Sequence, residues 1–472
     1  MKHHSPSYDD FLEGKAIRSK SFGMEKPGRL PASLKPFQAA IVRWALRKGR
    51  AALFEGTGLG KTLQQLSWAD AVAKREKSQI LLLTPLAVAQ QTVKEAAKFG
   101  ISGVAYAQDG MSADGRIVVT NYERFDRFQM DDFAGIVMDE SGIIKSQDGA
   151  MRAELTDACR DVPWRLCCTA TPAPNDYAEL GQHAEFLGVM TAKEMLAMFF
   201  VHDGSIRASD DMQGSDGWRL KRHAERDFWR WLASWAVAIR HPADIGFDAP
   251  EYDLPPLRMH ETVVRAEMKP TAGQLFPFMA STLGERIGVR RDTAADRIKA
   301  ASAIVAQEPN EPWLVWCNLN SEADGIESAI PRALQVAGRH DAAMKVDRLL
   351  GFKDGRPPVL ISKPSLAGHG MNWQHCARMV FVGLTDSFEQ VYQAIRRCYR
   401  FGQSREVHVH FVTSELEGNV LANVRRKEAA FNLMLERMAE HMRDLMQEEV
   451  SGRAAKNPYN PKIKMEIPAW LK

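Results

Sequence analysis

The chain alternates short apolar runs with longer amphipathic stretches, and it does so in two separate regions. The first region holds AALF (51–54), ILLLT (80–84), IVVT (117–120), GIVMD (135–139) and RLCCTAT (165–171). The second holds WLVWCN (313–318), PVLIS (358–362), RMVFVG (378–383) and VHVHFVTS (407–414). Continuous apolar runs of this length are typical of buried parallel strands, and the segments between them are long enough for crossover helices. The pattern predicts two tandem α/β domains, each with a doubly wound parallel sheet.

The segment between the two regions has a different character. WRLKRHAERDFWRWLASWAVAIR (218–240) predicts a helix, because large apolar residues recur at helical spacing: Phe228, Trp231, Leu232 and Trp235. DAPEYDLPPLR (248–258) predicts an extended linker. The residues after 415 are rich in Leu, Met, Glu and Arg at helical spacing and predict a further helix. We therefore expect an N-terminal extension (1–33), a first domain (34–185), a helical protrusion (186–247), a linker (248–262), a second domain (263–415) and a helical C-terminal segment with a tail (416–472).

Composition narrows the class of protein. In 472 residues, 45% are hydrophobic and 26% charged, and no window approaches the run of roughly 18 uncharged apolar residues that a membrane span needs. The N-terminal sequence MKHHSPSYDDFLEGK lacks the apolar core of a signal peptide, so we expect a cytoplasmic, nucleoid-associated protein with no membrane partner. The six cysteines form no CxxC pair and are interpreted as reduced core residues. The net charge is only +3, so binding to nucleic acid would need a local basic groove.

A glycine-rich turn between a strand and a helix is the main chemical signal. FEGTGLGKTLQQL follows the run AALF and opens an amphipathic stretch, which is the context in which backbone N–H groups converge on phosphate oxygens. Lys61 would neutralise the β- and γ-phosphates of ATP, and the Thr62 hydroxyl would bind Mg²⁺. The strict pattern GxxxxGK[ST] requires glycine at position 55, where this chain has glutamate. The predicted nucleotide-binding loop comprises Glu55, Gly56, Thr57, Gly58, Leu59, Gly60, Lys61 and Thr62.

An acidic pair supplies the second half of this site. Asp139 and Glu140 close the run GIVMD. A carboxylate at the end of a buried strand can hold Mg²⁺, and its neighbour can act as general base toward an attacking water. We predict that Asp139 is the metal ligand and Glu140 the base.

With these residues in place, the chain resembles the superfamily-two helicases, and among them the Swi/Snf-type DNA translocases, over nearly its full length. LKPFQ (34–38) is similar to the family's entry motif, which implies that Gln38 reads adenine. The family's phosphate loop commonly begins with an acidic residue, as EGTGLGKT does. In that family Asp-Glu is usually followed by Ala/Gly-His, whereas this chain has DESGIIKS, with Gly142 in place of histidine.

The resemblance also extends to the second domain. QAIRRCYRFGQ (393–403) is similar to the family's signature Gln-x-x-x-Arg-x-x-Arg-x-Gly-Gln. It implies that Arg397 and Arg400, at i and i+3 on one face of a predicted helix, bind the γ-phosphate as catalytic fingers. SLAGHGMNW (365–373) resembles the motif that faces the nucleotide across the cleft. Gly370 and Gln393 are therefore added to the predicted nucleotide site.

Two further groups of residues follow from the same resemblance. TATP (169–172) is similar to the motif that relays the nucleotide state to the DNA site, which assigns coupling roles to Thr169 and Thr171. Contacts with the DNA backbone are predicted for residues at strand ends: Thr84, Asn121, Tyr122, Asn318 and Ser362. In the tryptophan-rich segment, the i, i+4, i+8 spacing of Arg222, Arg226 and Arg230 makes them candidates either for a DNA groove or for solvated helix surface, and Trp229 and Trp235 are interpreted as packing residues rather than as stacking platforms for bases.

The resemblance implies a monomer in which two RecA-like domains close around ATP and Mg²⁺. The expected activity is nucleic-acid-stimulated ATP hydrolysis coupled to movement along DNA, with double-stranded rather than single-stranded DNA as the partner. Two alternatives stay open. One is a strand-separating or branch-migrating helicase, and the other is a nucleotide-regulated binding protein that has lost turnover.

Overall fold

The computed structural model describes residues 21–145, 149–202, 218–265, 290–367, 371–384, 387–415 and 420–450. These residues contain a seven-stranded sheet, a six-stranded sheet and a two-stranded hairpin. The strands are β1 (Arg50–Glu55), β2 (Gln79–Thr84), β3 (Val104–Tyr106), β4 (Ile117–Asn121), β5 (Phe133–Asp139), β6 (Trp164–Thr169), β7 (Phe200–His202), β8 (Trp218–Leu220), β9 (Ala236–Ile239), β10 (Leu257–Val264), β11 (Trp313–Cys317), β12 (Ala333–Val336), β13 (Val359–Ser362), β14 (Arg378–Val382) and β15 (Val407–Ser414). Each apolar run named above overlaps one of these strands, and the predicted class of two parallel α/β domains is confirmed.

Helices connect most of the strands. Those that the structure describes are α1 (Pro36–Lys48), α2 (Lys61–Glu76), α3 (Leu86–Lys98), α4 (Ala150–Ala158), α5 (Leu180–Leu187), α6 (Ala192–Phe199), α7 (Glu225–Ala233), α8 (Ala294–Gln307), α9 (Asn320–Ala329), α10 (Ala342–Lys353), α11 (Pro364–Ala367), α12 (Phe388–Ile395) and α13 (Val420–Val450).

The first sheet has the strand order β3-β4-β2-β5-β6-β1-β9, and its paired strands are parallel. Successive side chains of a strand point to opposite faces, so Leu53 and Phe54 of β1 enter different hydrophobic clusters. Residues of α1 and α2 pack on one face, and residues of α5 pack on the other. Because both faces are covered, the strands carry continuous apolar runs. Most of the predicted site residues of the first domain lie at or just beyond the carboxyl edge of this sheet.

The second sheet has the order β10-β15-β14-β11-β13-β12 and is also parallel. Its first strand was predicted to be a linker, with the second domain beginning at 263. Instead, β10 pairs with β15 from Leu257 to Val264, so the sheet begins at residue 257. As an edge strand β10 alternates exposed and half-buried positions, which is why it lacks a continuous apolar run.

The predicted helical protrusion (186–247) is only partly helical. It contains α6, the antiparallel hairpin of β7 and β8, and α7. α7 ends at Ala233, so Phe228, Trp231 and Leu232 lie on it but Trp235 does not. The chain then becomes extended and adds β9 to the first sheet, because pairing with β1 satisfies the polar backbone groups along that edge. The first domain therefore extends to Ile239.

The predicted C-terminal helix is confirmed as α13, and it connects the two domains. It packs against α7 and β9 of the first domain and against α12 of the second. Phe431, Met434 and Met438 are buried in the cluster that includes Trp229, which is 2% exposed. Trp235 is fully buried, so the packing interpretation of both tryptophans is confirmed.

The six cysteines are buried and unpaired, as expected for reduced core residues. None of the helices that the structure describes is both long and apolar enough to cross a membrane.

Candidate nucleotide site and nucleic-acid interface

The glycine-rich turn joins β1 to α2. Gly58 and Gly60 have φ angles of 93° and 84°, a region in which a side chain is strained. Gly60 immediately precedes the first turn of α2, where Lys61 and Thr62 lie. The Nζ of Lys61 donates hydrogen bonds to the carbonyl oxygens of Glu55 (2.7 Å) and Gly56 (3.2 Å). The lysine thus closes a backbone loop at a helix N-terminus, which is the geometry of a phosphate-binding turn.

Glu55, at the position where the strict pattern has glycine, is fully buried below this loop. Its Oε2 accepts a hydrogen bond of 2.8 Å from Gln64 Nε2. Burial raises the pKa of Glu55 to about 7, although Lys61 and Gln64 act in the opposite direction. Glu55 therefore anchors α2 to the strand that carries the loop.

Gln38 contacts the same loop from α1. Its Nε2 donates a 2.8 Å hydrogen bond to the carbonyl of Leu59, and its Oε1 accepts one of 2.9 Å from the backbone N–H of Lys35. The side chain is 4% exposed. Gln38 is thus fixed beside the loop, and its predicted contact with adenine stays a prediction.

Asp139 and Glu140 lie at the end of β5, close to the first turns of α2. Gln65 Nε2 donates a 2.7 Å hydrogen bond to Asp139 Oδ1. Burial, followed by the negative charge of Glu140, raises the pKa of Asp139 to about 6, whereas Gln65 and Lys61 lower it. Glu140 has a φ of 53°, which costs on the order of 1–3 kcal/mol for a residue with a side chain. Such strain is typical of a functional position.

The second domain places two arginines opposite these carboxylates. They were predicted to lie on a helix, but α12 ends at Ile395, and Arg397 and Arg400 lie in the tight turns that follow. Short-range hydrogen bonds, such as that from Arg400 N–H to the Cys398 carbonyl, replace the helical pattern there. Arg397 is 4% exposed and donates to the carbonyls of Gln393 and Met371, both at 3.3 Å.

Electrostatics connect the arginines with the first domain. Burial lowers the pKa of Arg397 to about 10 and the neighbouring Arg400 contributes to this decrease, while Glu140 and Asp139 oppose it. Burial also lowers the pKa of Arg400, against the opposing influence of Glu95 and Glu140. The guanidinium groups of one domain therefore lie within electrostatic reach of carboxylates of the other.

The loop that follows the arginines touches the phosphate loop directly. A Cβ added to Gly58 would lie 2.8 Å from the backbone nitrogen of Phe401, so only glycine permits this approach. The Phe401 ring stacks on Tyr252 with a centroid separation of 4.4 Å. The cleft between the two domains is thus narrow at the nucleotide loop.

The residues of the cleft fit a nucleoside triphosphate with Mg²⁺. Among the described residues, several buried polar atoms of the cleft have no hydrogen-bond partner: Glu55 Oε1, Thr57 Oγ1, Glu140 Oε2 and Arg400 Nε. Buried polar atoms without partners are uncommon in proteins, and those in this cleft can be satisfied by a bound ligand or ion. Lys61 and Arg400 offer donors to phosphate oxygens, and Thr62 and Asp139 offer oxygen ligands to the metal. Gly370, also predicted for this site, lies outside the described residues.

The TATP segment follows β6, between the strands of the phosphate loop and the acidic pair. Thr169 lies opposite Phe54 of β1, and Asp139 of β5 lies opposite Cys168 of β6. The Oγ1 of Thr169 accepts a hydrogen bond from the Thr171 backbone, and the Oγ1 of Thr171 donates a 3.0 Å hydrogen bond to Glu389 of α12. The predicted coupling residues therefore bridge the two domains.

Most of the side chains that were predicted to contact the DNA backbone are buried in the structure. Thr84, Asn121, Tyr122 and Ser362 are 0–4% exposed. Tyr122 donates its hydroxyl to the Asp139 carbonyl at 2.7 Å, and Ser362 donates to the Val336 carbonyl at 3.1 Å. These side chains support the strand ends and are not presented to DNA here. Asn318 is half-buried, and its contact with the DNA backbone stays a prediction.

A basic groove lies between the hairpin, α7 and α13, with a volume of about 1060 Å³. Five basic residues and one acidic residue contribute to its lining: Arg219, Lys221, Arg222, His223, Arg437 and Glu225. Of the three arginines predicted for a DNA groove, Arg222 lines it, whereas Arg226 and Arg230 are exposed on α7. Arg437 was missed because it lies more than 200 residues away in the sequence.

Other site residues that sequence reasoning missed carried weaker signals. Gln64 and Gln65 follow Lys61 at i+3 and i+4, the spacing that turns a side chain back toward a helix N-terminus. Glu389 precedes Gln393 by one helical turn. Asn372 accepts a hydrogen bond from Arg400 Nη1 and had no signal of its own.

Residues 37–202 match the family model described as SNF2-related domain. Protein CHROMATIN REMODELING 19 of Arabidopsis thaliana is 26% identical over 189 residues, which are 33% of this chain and 25% of that protein. The chain thus spans about a quarter of the length of that relative. The Sulfolobus solfataricus SWI2/SNF2 ATPase core in complex with dsDNA aligns over 90% of this chain and 97% of that one, at 17% identity and a TM-score of 0.41.

Proposed function

We propose that this chain, whose residues 37–202 form an SNF2-related domain of a Swi/Snf-type ATPase, hydrolyses ATP to move along double-stranded DNA. The resemblance to Swi/Snf-type ATPases that the motifs predicted is confirmed by this match and by the similarity to the Arabidopsis protein. That relative is named for chromatin remodelling, which supports DNA as the partner.

One observation carries the proposal: Arg397 and Arg400 of the second domain lie close enough to first-domain carboxylates to be influenced by their charge, Arg397 by Glu140 and Asp139 and Arg400 by Glu140. A protein that only bound nucleotide would not need a base and two guanidinium groups on opposite sides of the same cleft. Arginines in this position can stabilise the charge that develops on a transferred phosphoryl group. The arrangement therefore favours turnover over passive binding.

Bound ATP with Mg²⁺ would supply the phosphoryl group and the neutralising metal charge. Lys61 would hold the phosphates against the backbone loop, and Thr62 and Asp139 would hold the metal. Glu140 takes a proton from the attacking water, and its unpartnered Oε2 is free to do so. Arg400, with its Nε unpartnered, donates to the γ-phosphate, and Arg397 orders the turn that presents it.

Movement follows from the division of the site between two domains. Each cycle of closure and opening changes the separation of the domains, so gripping DNA on both would shift one grip relative to the other. The basic groove offers a surface for the phosphate backbone, which carries little sequence information. We therefore expect binding that depends strongly on salt and weakly on sequence.

The decisive experiment is the steady-state ATPase rate of the purified chain without DNA, with blunt double-stranded DNA and with single-stranded DNA. We expect stimulation by double-stranded DNA of at least about tenfold and a smaller effect of single-stranded DNA. Displacement of a triplex-forming strand from blunt duplex DNA would report movement. Absence of stimulation by either nucleic acid would overturn the proposal.

The same substrates separate a translocase from a strand-separating or branch-migrating helicase. We expect triplex displacement without release of single strands from forked or four-way DNA. Efficient unwinding of those substrates would replace the translocase with a helicase and leave the ATPase assignment intact.

A further inference from the structure

Gly142 stands where the family pattern has histidine, and the space beside it holds a side chain of the second domain, Glu389. A Cβ added to Gly142 would lie 3.1 Å from Glu389 Oε1 and 3.8 Å from Thr169 Oγ1. A larger residue at position 142, such as the family's histidine, would compete with Glu389 for this space. Glycine therefore leaves room for a side chain from the opposite domain.

Glu389 uses this room to form a hydrogen bond across the cleft. Its Oε1 accepts a bond of 3.0 Å from Thr171 Oγ1, although the two residues are 218 positions apart in the sequence. The Thr171 backbone N–H in turn donates to Thr169 Oγ1 at 3.1 Å. A hydrogen bond to a carboxylate is stronger than one between neutral groups, so this bond can contribute to holding the domains together.

The two ends of the bond lie on elements that carry catalytic groups. Thr171 follows β6, which pairs with β1 of the phosphate loop on one side and with β5 of the acidic pair on the other. Glu389 lies in the first turn of α12, and the chain after α12 carries Arg397 and Arg400. The bond thus links the position of the arginines to the strands that hold Lys61 and Glu140.

A second hydrogen bond, from α13, reaches the same segment. Lys427 Nζ of α13 donates to Asn175 Oδ1 at 2.9 Å, and Asn175 Nδ2 donates to Glu179 Oε1 at 2.8 Å. The segment from Thr171 to Asn175 is therefore held by side chains from two helices outside the first sheet. Because these hydrogen bonds come from outside the first sheet, the position of this segment depends on how the domains pack together.

We infer that Glu389 is a positioning residue for ATP hydrolysis, whose bond to Thr171 stabilises the closed cleft in place of a coupling side chain at position 142. The inference rests on the proposed function, because it takes this cleft as the site of turnover. Glu389 acts through Thr171 and α12 and does not touch the reacting atoms. Its loss should therefore reduce kcat more than ATP affinity.

The test compares Glu389→Ala with the conservative Glu389→Gln, whose amide oxygen can accept the same hydrogen bond. For Glu389→Ala we expect kcat of the DNA-stimulated ATPase to fall about tenfold, with the Kd of a fluorescent ATP analogue changed less than about twofold. Glu389→Gln should stay within about threefold of the wild type. Glu415→Ala, which removes an exposed carboxylate from the same domain, serves as the matched control.

Thr171→Val removes the hydrogen-bond donor with little change in shape. It tests the same bond from its other end, so the result does not depend on the folding of the Glu389 variants. We expect it to lower kcat as Glu389→Ala does, and the double variant to lose no more than either single one, because both remove one bond. Additive losses, or an equal loss in Glu389→Gln, would overturn the inference. Thermal unfolding of each variant establishes that the fold is intact.

A closure measurement separates this inference from the proposed function. Cysteines at the exposed positions Lys98 and Lys353 can carry a fluorophore pair, because the six native cysteines are buried. With a non-hydrolysable ATP analogue, energy transfer should be higher in the wild type and in Glu389→Gln than in Glu389→Ala. Equal transfer in all three would overturn the inference. A wild type that closes but shows no DNA stimulation would contradict the proposed function alone.

Discussion

At the scale of single residues, the candidate site contains some groups that are placed to bind the nucleotide and others that are placed to take part in its hydrolysis. Lys61 is held by two carbonyls of the loop that it closes, so it is placed to bind phosphate. Glu140 combines a left-handed backbone with a buried Oε2 that has no hydrogen-bond partner, so this oxygen is available to a bound water or ligand. These different environments predict different effects of substitution.

Glu140→Gln should abolish turnover and preserve nucleotide binding. Removal of a general base typically costs about 10²–10⁴-fold in rate, and glutamine keeps the size of the side chain. We expect ATP hydrolysis to fall at least about 100-fold, with the Kd of a fluorescent ATP analogue within about threefold of the wild type. Lys61→Ala should instead weaken binding as well as turnover. Hydrolysis at the wild-type rate by Glu140→Gln would refute the assignment of the base.

The two arginines should respond differently to replacement by lysine. Arg400 has an unpartnered Nε and one side-chain hydrogen bond, to Asn372, whereas Arg397 is more buried and donates to two carbonyls of its own domain. Arg400→Lys should lower kcat about 100-fold or more with the smaller loss of thermal stability, because lysine keeps the charge and loses the planar fork. Arg397→Lys should lower both kcat and the unfolding temperature. Equal unfolding temperatures for the two variants would contradict this division.

At the scale of elements, the β10–β15 pair carries a group of histidines on one face. His260 lies opposite His410, with their rings stacked at a centroid separation of 4.5 Å, and His260 Nε2 is 3.0 Å from His408 Nδ1. Burial, followed by the neighbouring His260 and His408, lowers the pKa of His410 to about 4. The charged groups that also influence it are Glu308 and Arg378.

This pKa shift predicts that the strand pair loses stability in acid. The folded state keeps His410 neutral, while a histidine in the unfolded chain binds a proton near its ordinary pKa of 6.5. The stabilisation is therefore complete above about pH 6.5 and is lost as the pH falls toward 4. Because His410 is only partly buried, we expect on the order of 1–2 kcal/mol rather than the full value of the shift.

His410→Phe keeps the ring and removes the proton-binding site, so the difference between wild type and variant isolates this residue. The free energy of unfolding is measured by denaturant titration from pH 7.5 to 4.5. As the pH falls, it should decrease more in the wild type than in the variant. The buried carboxyls Glu55 and Asp139, whose pKa values are raised, titrate in both proteins and cancel. His223→Phe, at an exposed position, should show no such trend, and parallel curves for His410→Phe and wild type would contradict the prediction.

At the scale of the whole molecule, a small net charge leaves DNA binding to the local distribution of basic residues. The net charge of +3 provides little general attraction, whereas the groove gathers basic side chains from the hairpin region and from α13. Lys221 already donates to the Ala197 and Met198 carbonyls, at 2.8 and 3.1 Å. Arg222 is exposed and has no such tether among the described contacts, so its guanidinium is accessible to DNA.

Arg222→Glu and Arg437→Glu should weaken binding of double-stranded DNA uniformly across sequences. Each lost phosphate contact should reduce the slope of log K against log salt by about one, and charge reversal should weaken binding by about tenfold or more. Fluorescence anisotropy between 50 and 200 mM salt measures both quantities. Lys353→Glu, an equal charge change on α10, is the matched control. The same loss in the control would show that the groove has no special role.

Much of the fold and of the nucleotide loop could be predicted because the responsible signals are local. Buried parallel strands must be apolar on both faces, so β1, β2, β5 and β11 are visible as continuous runs. The segment from Gly56 to Thr62 is contiguous, because a helix N-terminus and its loop come from neighbouring residues. Two edge strands were misassigned: β10 is half-exposed and has no continuous apolar run, and the apolar residues of β9 directly follow the amphipathic pattern of α7, so they were included in one predicted helix.

The sequence by itself therefore determined two parallel α/β domains, the phosphate loop and the residue types of a divided ATPase site, since each depends on short-range pattern and chemistry. Only the tertiary structure decided which side chains meet. It buried Asn121 and Tyr122, moved Arg397 and Arg400 off the helix and set Glu389 against Thr171 beside Gly142. These outcomes depend on how two sheets and α13 pack together, and packing between distant segments leaves no periodic signal in the chain.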